Sequence, residues 1–451
     1  MAEITATFEA TIEMLLEQKK FNSLKDILTT MYPADIAILF EGLPKQKLTL
    51  LFRLLPKELA AEVFVEMESH LQQLLITGFS DKELKEIIDE LYMDDAVDLI
   101  EEMPANVVKR ILSQADPETR RLINEMLMYP EDSAGSIMTT EFVDLRPEMT
   151  ASDAVDHIRA TGIDKETIDV CYVTDTKRKL VGAISIRTII LAAKDTKISE
   201  IMDPHVISVN THEDQEAVAQ IFAKYGFTAI PVVDTENRLV GIVTVDDAID
   251  VMQEETTEDI SKMAAITPPD KPYFQLSVFE IWKSRIPWLL LLMISATFTG
   301  MIISSFEKAL ATYIVLTAFI PMLMDTGGNS GSQASVTIIR GLSLQQIQFS
   351  DILRVVWKEA RVAVMCAITL SVFNFAKLML FDRVGLYVAL VICITLSATV
   401  FVAKIVGCIL PMLAKKIGFD PAVMASPFIT TIVDALSLII YFSTASVILG
   451  I

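Results

Sequence analysis

From Trp282 to the carboxyl terminus, the sequence is dominated by apolar stretches that are long enough to cross a lipid bilayer. A hydrocarbon core of about 30 Å requires about 20 consecutive apolar residues in a helix. Five stretches meet this requirement, at about 287–306, 310–330, 362–381, 384–413 and 421–450. The sequence therefore predicts an all-α, polytopic membrane domain with five transmembrane helices over residues 282–451.

Charged residues are concentrated in the part of the chain that precedes these stretches. Of the 38 Lys and Arg and the 59 Asp and Glu, only 12 and 8 lie from Leu276 onward, which leaves residues 1–275 with a net charge of −25. Roughly 275 residues are enough for two ordinary soluble domains. A field of this sign repels nucleic acid and attracts cations. We therefore expect divalent cations as partners and no nucleic acid.

The basic residues around the apolar stretches predict the orientation in the membrane. The start of the chain, MAEITATFEATIEMLLEQKK, lacks the basic start and continuous apolar core of a secretory signal, so we expect a cytosolic amino terminus. With that end inside, most of the flanking basic residues fall on the cytosolic side, as the positive-inside rule requires. They are Lys283, Arg285, Arg340, Arg354, Lys358, Arg361, Lys415 and Lys416. Five spans then place the carboxyl terminus outside a bacterial-type inner (plasma) membrane.

Residues 1–130 show apolar positions at helical spacing that are interrupted by proline every dozen or so residues. The prolines are Pro33, Pro44, Pro56, Pro104 and Pro117. Proline is tolerated in the first turn of a helix but not in its interior. The spacing predicts an acidic, all-α domain of short stacked helices, which by itself is a scaffold or an interaction module.

Over residues 131–252 the pattern changes to short β-rich runs that alternate with helices, and it occurs twice. Met138 corresponds to Met202, and Leu180-Val181-Gly182 corresponds to Leu239-Val240-Gly241. Each copy predicts the order strand, helix, strand, turn, strand, helix. This α/β repeat resembles the tandem pair of cystathionine-β-synthase-type (CBS) domains.

The resemblance to CBS pairs implies two copies packed face to face, with adenine nucleotides such as ATP or metals bound at the seam. The second copy keeps the Gly-x-x-Thr-x-x-Asp run of that family, so the resemblance implies nucleotide contacts from Thr244 and Asp247. The first copy has Thr188 where the acidic ribose contact would lie. This difference argues against nucleotide binding on that side.

A charged helix is predicted to connect the repeat to the membrane. From Asp246 the sequence continues through DDAIDVMQEETTEDISKM to a proline-containing linker, TPPDKP. Residues 253–281 are therefore assigned to an acidic connecting helix and its linker.

The most informative single residue is Asp434, which lies about halfway along the last apolar stretch. A charged side chain at mid-membrane costs about 3 kcal/mol, so it normally faces a partner or a water-filled path. Residues at helical spacing give Asp434 a narrow polar face, formed by Thr430, Thr431, Ser437 and Tyr441. We interpret this face as the lining of an ion path. The alternative is a buried Asp that is hydrogen-bonded to a neighbouring helix.

Polar residues at membrane depth occur in two further stretches. The second apolar stretch of the chain ends in the glycine-rich run PMLMDTGGNSGSQAS, in which Asp325 and Asn329 are candidate oxygen donors. Irregular backbone is tolerated in a bilayer only where it is buried in protein or lines a cavity, and glycines permit close helix approach. In the fourth stretch, Lys404 either extends to the cytosolic interface or pairs with an acid, and the sequence leaves both open.

In their order along the chain, these features resemble one family. The helical front, the CBS pair, the acidic connecting helix, the TGGNSGSQAS segment and the single Asp of the last span are similar to MgtE-type magnesium channels. The resemblance implies a homodimer with its pore on the two-fold axis, so that two copies of Asp434 face the ion. Two carboxylates hold hydrated Mg²⁺ by outer-sphere contacts, and selectivity follows from pore size and charge.

The resemblance also implies a set of regulatory Mg²⁺ ligands. On the front domain they are Glu62, Asp94, Asp95 and Asp98, and in the second CBS copy they are Glu216 and the carbonyl of Ala223. On the connecting helix they are Asp247, Asp250, Glu255, Glu258 and Asp259, and at the cytosolic mouth the ligand is Asp420. Gly226 stands where the family pattern has an acid, which weakens or removes one metal contact. For any single acid, a solvated helix face is an equally good interpretation.

The function implied by the resemblance is import of Mg²⁺ through a channel that cytosolic Mg²⁺ closes by bridging these acids. The alternative is an ion-coupled secondary transporter of divalent cations such as Mg²⁺ and Co²⁺. A proton relay usually requires several membrane acids or histidines, and the histidines all lie in the soluble part: His70, His157, His205 and His212. The apolar region has no nucleophile–base–acid arrangement, so we do not expect an enzyme.

Overall fold

The computed structural model describes residues 11–12, 14–268, 273–306, 311–424 and 426–450. Residues 310 and 425, which belong to the second and fifth predicted spans, lie outside this part of the chain. The chain divides into two compact units, Met1–Met252 and Gln253–Ile451. The first unit contains the acidic helices and the repeat, and the second contains the apolar helices.

Short helices fill the front of the first unit, as the proline spacing predicts. They are α1 (Phe21–Leu28), α2 (Pro33–Glu41), α3 (Lys45–Phe52), α4 (Lys57–Val65), α5 (Ser69–Gly78), α6 (Asp81–Ile88), α7 (Met93–Glu102), α8 (Ala105–Gln114) and α9 (Pro117–Met126). Pro33 and Pro117 occupy the first turn of a helix, and Pro44, Pro56 and Pro104 precede one as the N-cap residue. Proline therefore starts these helices and never interrupts them.

The two copies of the repeat form two three-stranded sheets. The first contains β1 (Asp144–Leu145), α10 (Ala151–Thr161), β2 (Val170–Thr174), β3 (Leu180–Ser185), α11 (Ile186–Leu191) and α12 (Ile198–Ile201). The second contains β4 (Val209–Asn210), α13 (Gln215–Tyr225), β5 (Ala229–Val233), β6 (Leu239–Thr244) and α14 (Val245–Met263). In each sheet the first strand is parallel to the second and the third is antiparallel to it. The predicted tandem repeat is confirmed.

Each copy of the repeat inserts its corresponding methionine against a glycine. A Cβ on Gly241 would lie 2.7 Å from the sulfur of Met138, and a Cβ on Gly182 would lie 2.5 Å from the sulfur of Met202. The backbone bridges Thr139–Ile242 and Ala183–Asp203 accompany these contacts. The repeat that is visible in the sequence is therefore a repeated packing contact, because only glycine leaves room for the methionine.

The hydrophobic core of the helical front continues into the second copy of the repeat. Buried residues from Leu24 on α1 to Met126 on α9 belong to the same cluster as Val218 on α13 and Val251 on α14. The first copy has a separate core around Cys171 and Val173. The shared core holds the acidic helix α7 close to the start of α14, where the acids of both meet.

Long apolar helices make up the second unit. They are α15 (Val278–Ser305), α16 (Ile320–Ser343), α17 (Ile352–Lys377), α18 (Leu386–Lys416) and α19 (Ser426–Leu449), with short 3-10 turns at Ile314–Phe319, Phe349–Asp351 and Pro421–Met424 and a π turn at Leu378–Asp382. Within the described residues, the helical segments that contain α15, α17, α18 and α19 are long and apolar enough to cross a membrane. The second predicted span, at 310–330, is not among them.

The glycine-rich run lies inside a regular helix, which differs from the irregular backbone predicted for it. Helix α16 continues without a break to Ser343, well beyond the predicted end at residue 330. Its small residues pack against α18 and α19 and leave the backbone hydrogen bonds of α16 intact. The glycines and small polar residues of α16 make it too polar to count among the apolar spans. The same residues let it pack closely in the centre of the second unit.

Candidate metal sites and ion path

A cluster of carboxylates, which we call the acid cluster, forms where α7 meets the first turns of α14. Its members are Glu66, Asp94, Asp95, Asp98, Glu141, Glu166, Asp246, Asp247 and Asp250, which interact through their charges. Asp94 is only 7% exposed, and its carboxylate accepts a hydrogen bond from the Asp95 amide at 3.0 Å. Among the described residues, no Lys or Arg forms an ion pair with any member.

Burial and mutual repulsion raise the pKa values of the acid cluster. Burial, followed by the charge of Asp247, raises the pKa of Asp95 and that of Asp98 to about 7 each. Burial and the charge of Asp95 raise the pKa of Glu166 to about 8. Burial, followed by the charge of Asp247, also raises the pKa of Asp94 well above its ordinary value. Negative charge is therefore costly here unless a cation neutralises it.

The acid cluster does not form a closed chelate. Within the described part of the chain, no three His, Cys, Asp or Glu side chains are grouped closely enough to hold a metal ion. A divalent cation would instead reach these carboxylates through its own waters or after they approach one another. Mg²⁺ suits such a site, because it gives up its waters reluctantly.

Thr244 lies next to the acid cluster and is hydrogen-bonded to Asp247, one of its members. The Thr244 hydroxyl and amide both donate to the Asp247 carboxylate, the amide at 3.3 Å, which caps the start of α14. Burial raises the pKa of Asp247 to about 6, against the lowering effect of the Thr244 hydrogen bond. Both groups that were predicted to contact a nucleotide are thus bonded to each other.

A separate cleft of about 310 Å³ is lined by residues of both copies, among them Ser185. Its lining includes Tyr172, Asp203, His205, Phe227 and Thr228. The Tyr172 side chain is 1% exposed, and its hydroxyl has no hydrogen-bond partner among the described residues. A buried hydroxyl without a partner is costly, so a ligand with a polar group fits this cleft.

The remaining predicted ligands of the first unit lie on exposed or partly exposed helix faces. Glu62 on α4 is exposed. Burial raises the pKa of Tyr92, and the charges of nearby acids, Glu62 among them, raise it further. On α13, Gln220 donates to the partly buried Glu216 at 3.0 Å, and Ala223 is exposed. Gly226 ends α13 in the left-handed conformation, with φ 67°. Glycine at this position is explained by the helix end.

In the second unit, the carboxyl-terminal part of α14 carries an ion-pair network that includes Asp420. The Lys262 ammonium lies 2.7 Å from Asp420 Oδ2 and 2.5 Å from Glu258 Oε1. Ser343 donates to Asp259 at 3.3 Å. Burial, followed by the Asp420 charge, raises the pKa of Asp259. Three of the predicted metal ligands, Glu258, Asp259 and Asp420, therefore converge here. The Lys262 ammonium already lies between Glu258 and Asp420. The fourth predicted ligand, Glu255, is half-buried one turn earlier on α14.

In the membrane-spanning helices, α16 packs against α18 and α19 through its glycines. A Cβ on Gly327 would lie 2.6 Å from Thr399 and 3.0 Å from Val433. A Cβ on Gly407 of α18 would lie 2.3 Å from the Gly331 carbonyl oxygen. These contacts leave no room for a side chain, so the backbones of α16 and α18 touch, and side chains of α19 lie directly against the glycines of α16.

Asp434 is half-buried on α19 and interacts electrostatically with Asp325 on α16. Asp325 is exposed, and its carboxylate accepts a hydrogen bond from the Asn329 amide at 3.1 Å. Two carboxylates and an amide are thus brought together from sequence positions more than a hundred residues apart. Oxygen donors of this type suit a hydrated divalent cation.

The polar face predicted around Asp434 divides into two parts. Thr430 and Thr431 each donate to the Pro427 carbonyl at 3.0 Å. Ser437 is buried and donates to Val433, and buried Tyr441 donates to the Leu316 carbonyl at 3.0 Å. Within one chain, Ser437 and Tyr441 therefore serve helix packing, whereas Asp434 remains accessible.

Lys404 takes neither of the two positions considered for it. Its side chain is only 5% exposed, and no described residue forms an ion pair with it. It lies on α18 next to Ala403, whose carbonyl oxygen would lie 3.2 Å from a Cβ on Gly331. Neither extension to the interface nor pairing with an acid is therefore seen.

Family models match most of the chain. The model described as "Divalent cation transporter" (MgtE) matches residues 320–444, that of the MgtE intracellular N domain matches 31–132, and that of the CBS domain matches 134–195 and 198–254. The magnesium transporter MgtE of Thermus thermophilus is 36% identical over 442 residues, which cover 97% of this chain and 98% of the relative. The chain belongs to the MgtE family. The Bacillus subtilis magnesium transporter MgtE is 32% identical, with 96% of each chain covered.

Solved structures agree for the soluble part. The cytosolic domain of the Mg²⁺ channel MgtE in complex with ATP has a TM-score of 0.52 and 37% identity, and it covers 54% of this chain and 99% of its own length. The soluble part of a magnesium transporter has a TM-score of 0.53 and 31% identity, covering 56% and 99%. The predicted fold class is confirmed except for the count of five transmembrane helices, of which four are apolar enough among the described residues. The MgtE family assigns the chain to divalent-cation transport by a multi-pass membrane protein that is not an enzyme.

The acid cluster also contains members that sequence reasoning missed. Glu66, Glu141, Glu166 and Asp246 surround the predicted ligands, although the MgtE resemblance does not imply them. Glu141 and Glu166 come from the first CBS copy, and no local pattern distinguishes them from solvated acids. Their approach to α7 and α14 is visible only in the structure, where the charge of Glu141 acts on Asp95, and those of Asp246 and Asp247 act on Glu166.

Proposed function

We propose that this chain is a Mg²⁺-selective channel that imports divalent cations across the plasma membrane and that cytosolic Mg²⁺ closes. The observation that carries the proposal is the acid cluster, in which buried carboxylates repel one another and no described Lys or Arg pairs with them. Such a cluster is stabilised by divalent cations and destabilised without them. Cytosolic Mg²⁺ therefore shifts the population toward the conformation in which the acids are close together.

The ion path is proposed to pass Asp434. Its carboxylate is half-buried near the centre of α19 and close to Asp325. In a homodimer with its axis beside α19, two copies would present carboxylates to one hydrated ion. Charge and pore size together would then select small divalent cations.

Two kinds of regulatory site are proposed, and both include α14. One comprises the acid cluster with Asp94, Asp95, Asp98, Asp247 and Asp250, and Glu62, Glu216 and the Ala223 carbonyl supply outer ligands. The other comprises Glu255, Glu258 and Asp259 with Asp420, where Lys262 already neutralises part of the charge. Mg²⁺ at both sites would hold α14 in the closed position. With α16 as the fifth crossing, the basic flanks support a cytosolic amino terminus and an extracytosolic carboxyl terminus.

A nucleotide is proposed to bind in the 310 Å³ cleft beside Ser185. Support comes from the unpartnered Tyr172 hydroxyl and from a relative whose cytosolic domain was solved with ATP. Isothermal titration of the purified protein with ATP tests this site. Phe227→Ala should weaken binding, and Thr244→Val should leave it unchanged, because Thr244 is bonded to Asp247.

Patch-clamp recording of the reconstituted protein tests the channel proposal. Single-channel currents should appear at low internal Mg²⁺ and disappear as Mg²⁺ is raised. Replacing Asp247 and Asp250 by Asn should shift closure to higher Mg²⁺, whereas Asp169→Asn, an exposed acid outside the cluster, should not. Uptake without single-channel events, and with a fixed counter-ion ratio, would instead indicate the ion-coupled secondary transporter of Mg²⁺ and Co²⁺.

A further inference from the structure

A cavity of about 340 Å³ opens where α16 ends, α18 ends and the 3-10 turn Phe349–Asp351 begins. Its floor is apolar, from Leu342, Ile347, Phe349 and Met412, and its rim carries Gln345, Gln348, Lys415 and Lys416. The lining contains two ammonium groups and two amides and no carboxylate. It therefore combines an apolar base with a positively charged, hydrogen-bonding rim.

The lysines of this cavity are held in place. The Lys415 ammonium donates to the Leu342 carbonyl at 3.0 Å, which fixes it at the end of α16. The Lys416 ammonium lies 4.1 Å from the centre of the Phe349 ring, in a cation–π contact. Both residues are otherwise exposed, so each keeps donors for a ligand.

The surroundings of the cavity have the composition of a membrane interface. Exposed apolar and aromatic side chains alternate here with basic ones. The apolar members are Leu344, Leu353, Trp357, Leu413, Ile417 and Phe419. The exposed basic members outside the cavity include Arg354 and Lys358. A collar of this composition is typical of the level of lipid headgroups, where apolar side chains suit acyl chains and basic side chains suit water and phosphate.

We propose that this cavity binds the headgroup of an anionic phospholipid. The phosphate would contact Lys415 and Lys416, the glycerol hydroxyls would contact the amides of Gln345 and Gln348, and the acyl chains would follow the apolar floor. Basic pockets between transmembrane helices on the cytosolic side are suited to anionic lipids. The cytosolic position rests on the orientation proposed above, and the binding measurement does not depend on transport or gating.

Native mass spectrometry of the full-length, detergent-purified protein tests the site, with dioctanoyl phosphatidylglycerol and dioctanoyl phosphatidylcholine as probes. Phosphatidylglycerol should bind, and the Lys415→Gln/Lys416→Gln variant should bind it about tenfold more weakly. The matched variant Arg354→Gln/Lys358→Gln removes equal charge from the same collar and should stay within about twofold of the parent. Gln at position 415 can still donate to Leu342, which preserves the end of α16.

Four outcomes would overturn the proposal. Equal affinity for the two lipids would remove the role of charge, and equal losses in both double variants would reduce the cavity to general collar electrostatics. Competition by inorganic phosphate at the same concentration as lipid would identify a free-anion site. A photoactivatable phosphatidylglycerol provides an independent readout in the unmodified protein. It should label peptides containing 342–349 and 412–416, and labelling elsewhere alone would also exclude the site.

Discussion

At the scale of single residues, Asp434 and Lys262 carry charges whose surroundings define opposite roles. Asp434 is half-buried near another carboxylate, and no Lys or Arg among the described residues forms an ion pair with it. Lys262 lies between two carboxylates that it neutralises. The first is suited to attract a mobile cation, and the second supplies a cation that belongs to the chain.

Replacing Asp434 by Asn tests the first role, because it keeps shape and hydrogen-bonding capacity while removing the charge. Mg²⁺ flux in proteoliposomes should fall severalfold or lose its preference over monovalent ions, since the electrostatic attraction is lost. Thr431→Val, one turn away on the same helix, is the matched control and should conduct normally. Normal Mg²⁺ flux through a well-folded Asn variant would show that Asp434 is a structural hydrogen-bond partner.

Replacing Lys262 by Met tests the second role. Without the ammonium, Glu258 and Asp420 lose their only cation among the described residues and repel each other, so the end of α14 detaches more readily. Currents recorded without Mg²⁺ should rise above those of the parent, and saturating Mg²⁺ should still close the channel. Lys358→Met, which removes an exposed lysine, serves as the control. If the Mg²⁺-free current stays at the parental level, Lys262 is only a surface ion pair.

At the scale of elements, α7 and α14 were predicted separately from local patterns, and only the family resemblance implied that Mg²⁺ bridges their acids. Helical spacing and proline positions were sufficient to place α7, and the acidic run was sufficient to place α14. Their contact depends on a core shared between α1–α9 and α13–α14, which is nonlocal and leaves no pattern in the sequence. For the same reason, Glu66 and Glu166 were indistinguishable from solvated acids.

The glycine run shows the opposite case, in which a local pattern was read correctly but its structure was not. Gly327 and Gly331 were predicted to allow close helix approach, and they do. The same residues suggested irregular backbone, whereas α16 is a continuous helix. In a bilayer the backbone hydrogen bonds of a helix have no competing water, so glycine weakens a helix less than it does in solution.

The acid cluster between α7 and α14 makes stability depend on pH. Asp95, Asp98 and Glu166 have folded pKa values of about 7, 7 and 8, above their ordinary values, so the folded state binds more protons than the unfolded state between about pH 4 and 8. Without divalent cations, the free energy of unfolding of the first unit should therefore fall as pH rises through this range. Hydrogen exchange of α7, measured in the full-length protein at pH 5.5 and pH 8 in EDTA, checks the sign.

Two further conditions make the pH measurement specific. Millimolar Mg²⁺ should remove most of the loss of protection at pH 8, because it neutralises the carboxylates that protons no longer cover. The variant Asp95→Asn/Asp98→Asn should flatten the pH dependence. An unchanged slope in this variant would assign the effect to other groups.

At the scale of the whole molecule, the first unit acts as one body because a single core joins the helical front to the second CBS copy. Sequence alone indicated a helical domain, a repeat and a membrane domain in the correct order. It did not indicate that the front and the second copy share a core. Removal of the front therefore changes more than one wall of the acid cluster.

Deleting residues 1–130 should leave a pore that conducts but that cytosolic Mg²⁺ closes less completely. Because the deletion also uncovers part of the shared core, the variant Asp94→Asn/Asp95→Asn/Asp98→Asn provides the matched comparison with the core intact. The deletion and the triple variant should each require severalfold more Mg²⁺ for half-closure in current recordings. In both proteins the carboxylates of α7 no longer repel those of α14, and Mg²⁺ can no longer bridge the two helices. Closure at the parental Mg²⁺ concentration in both proteins would contradict the sensor role.

Gly331 on α16 and Gly407 on α18 form a seam between these helices, and this seam limits which motions are available to the second unit. At Gly407 and Gly331 the two backbones touch, so neither helix can slide or rotate past the other without a collision between main-chain atoms. Side chains of α19, from Thr430, Val433 and Ser437, lie against Gly327 and Gly328 of α16. We therefore expect these three helices to move together as one block. Any change in pore width must arise at the outer surfaces of that block, where it meets α15, α17 or a second copy of the chain.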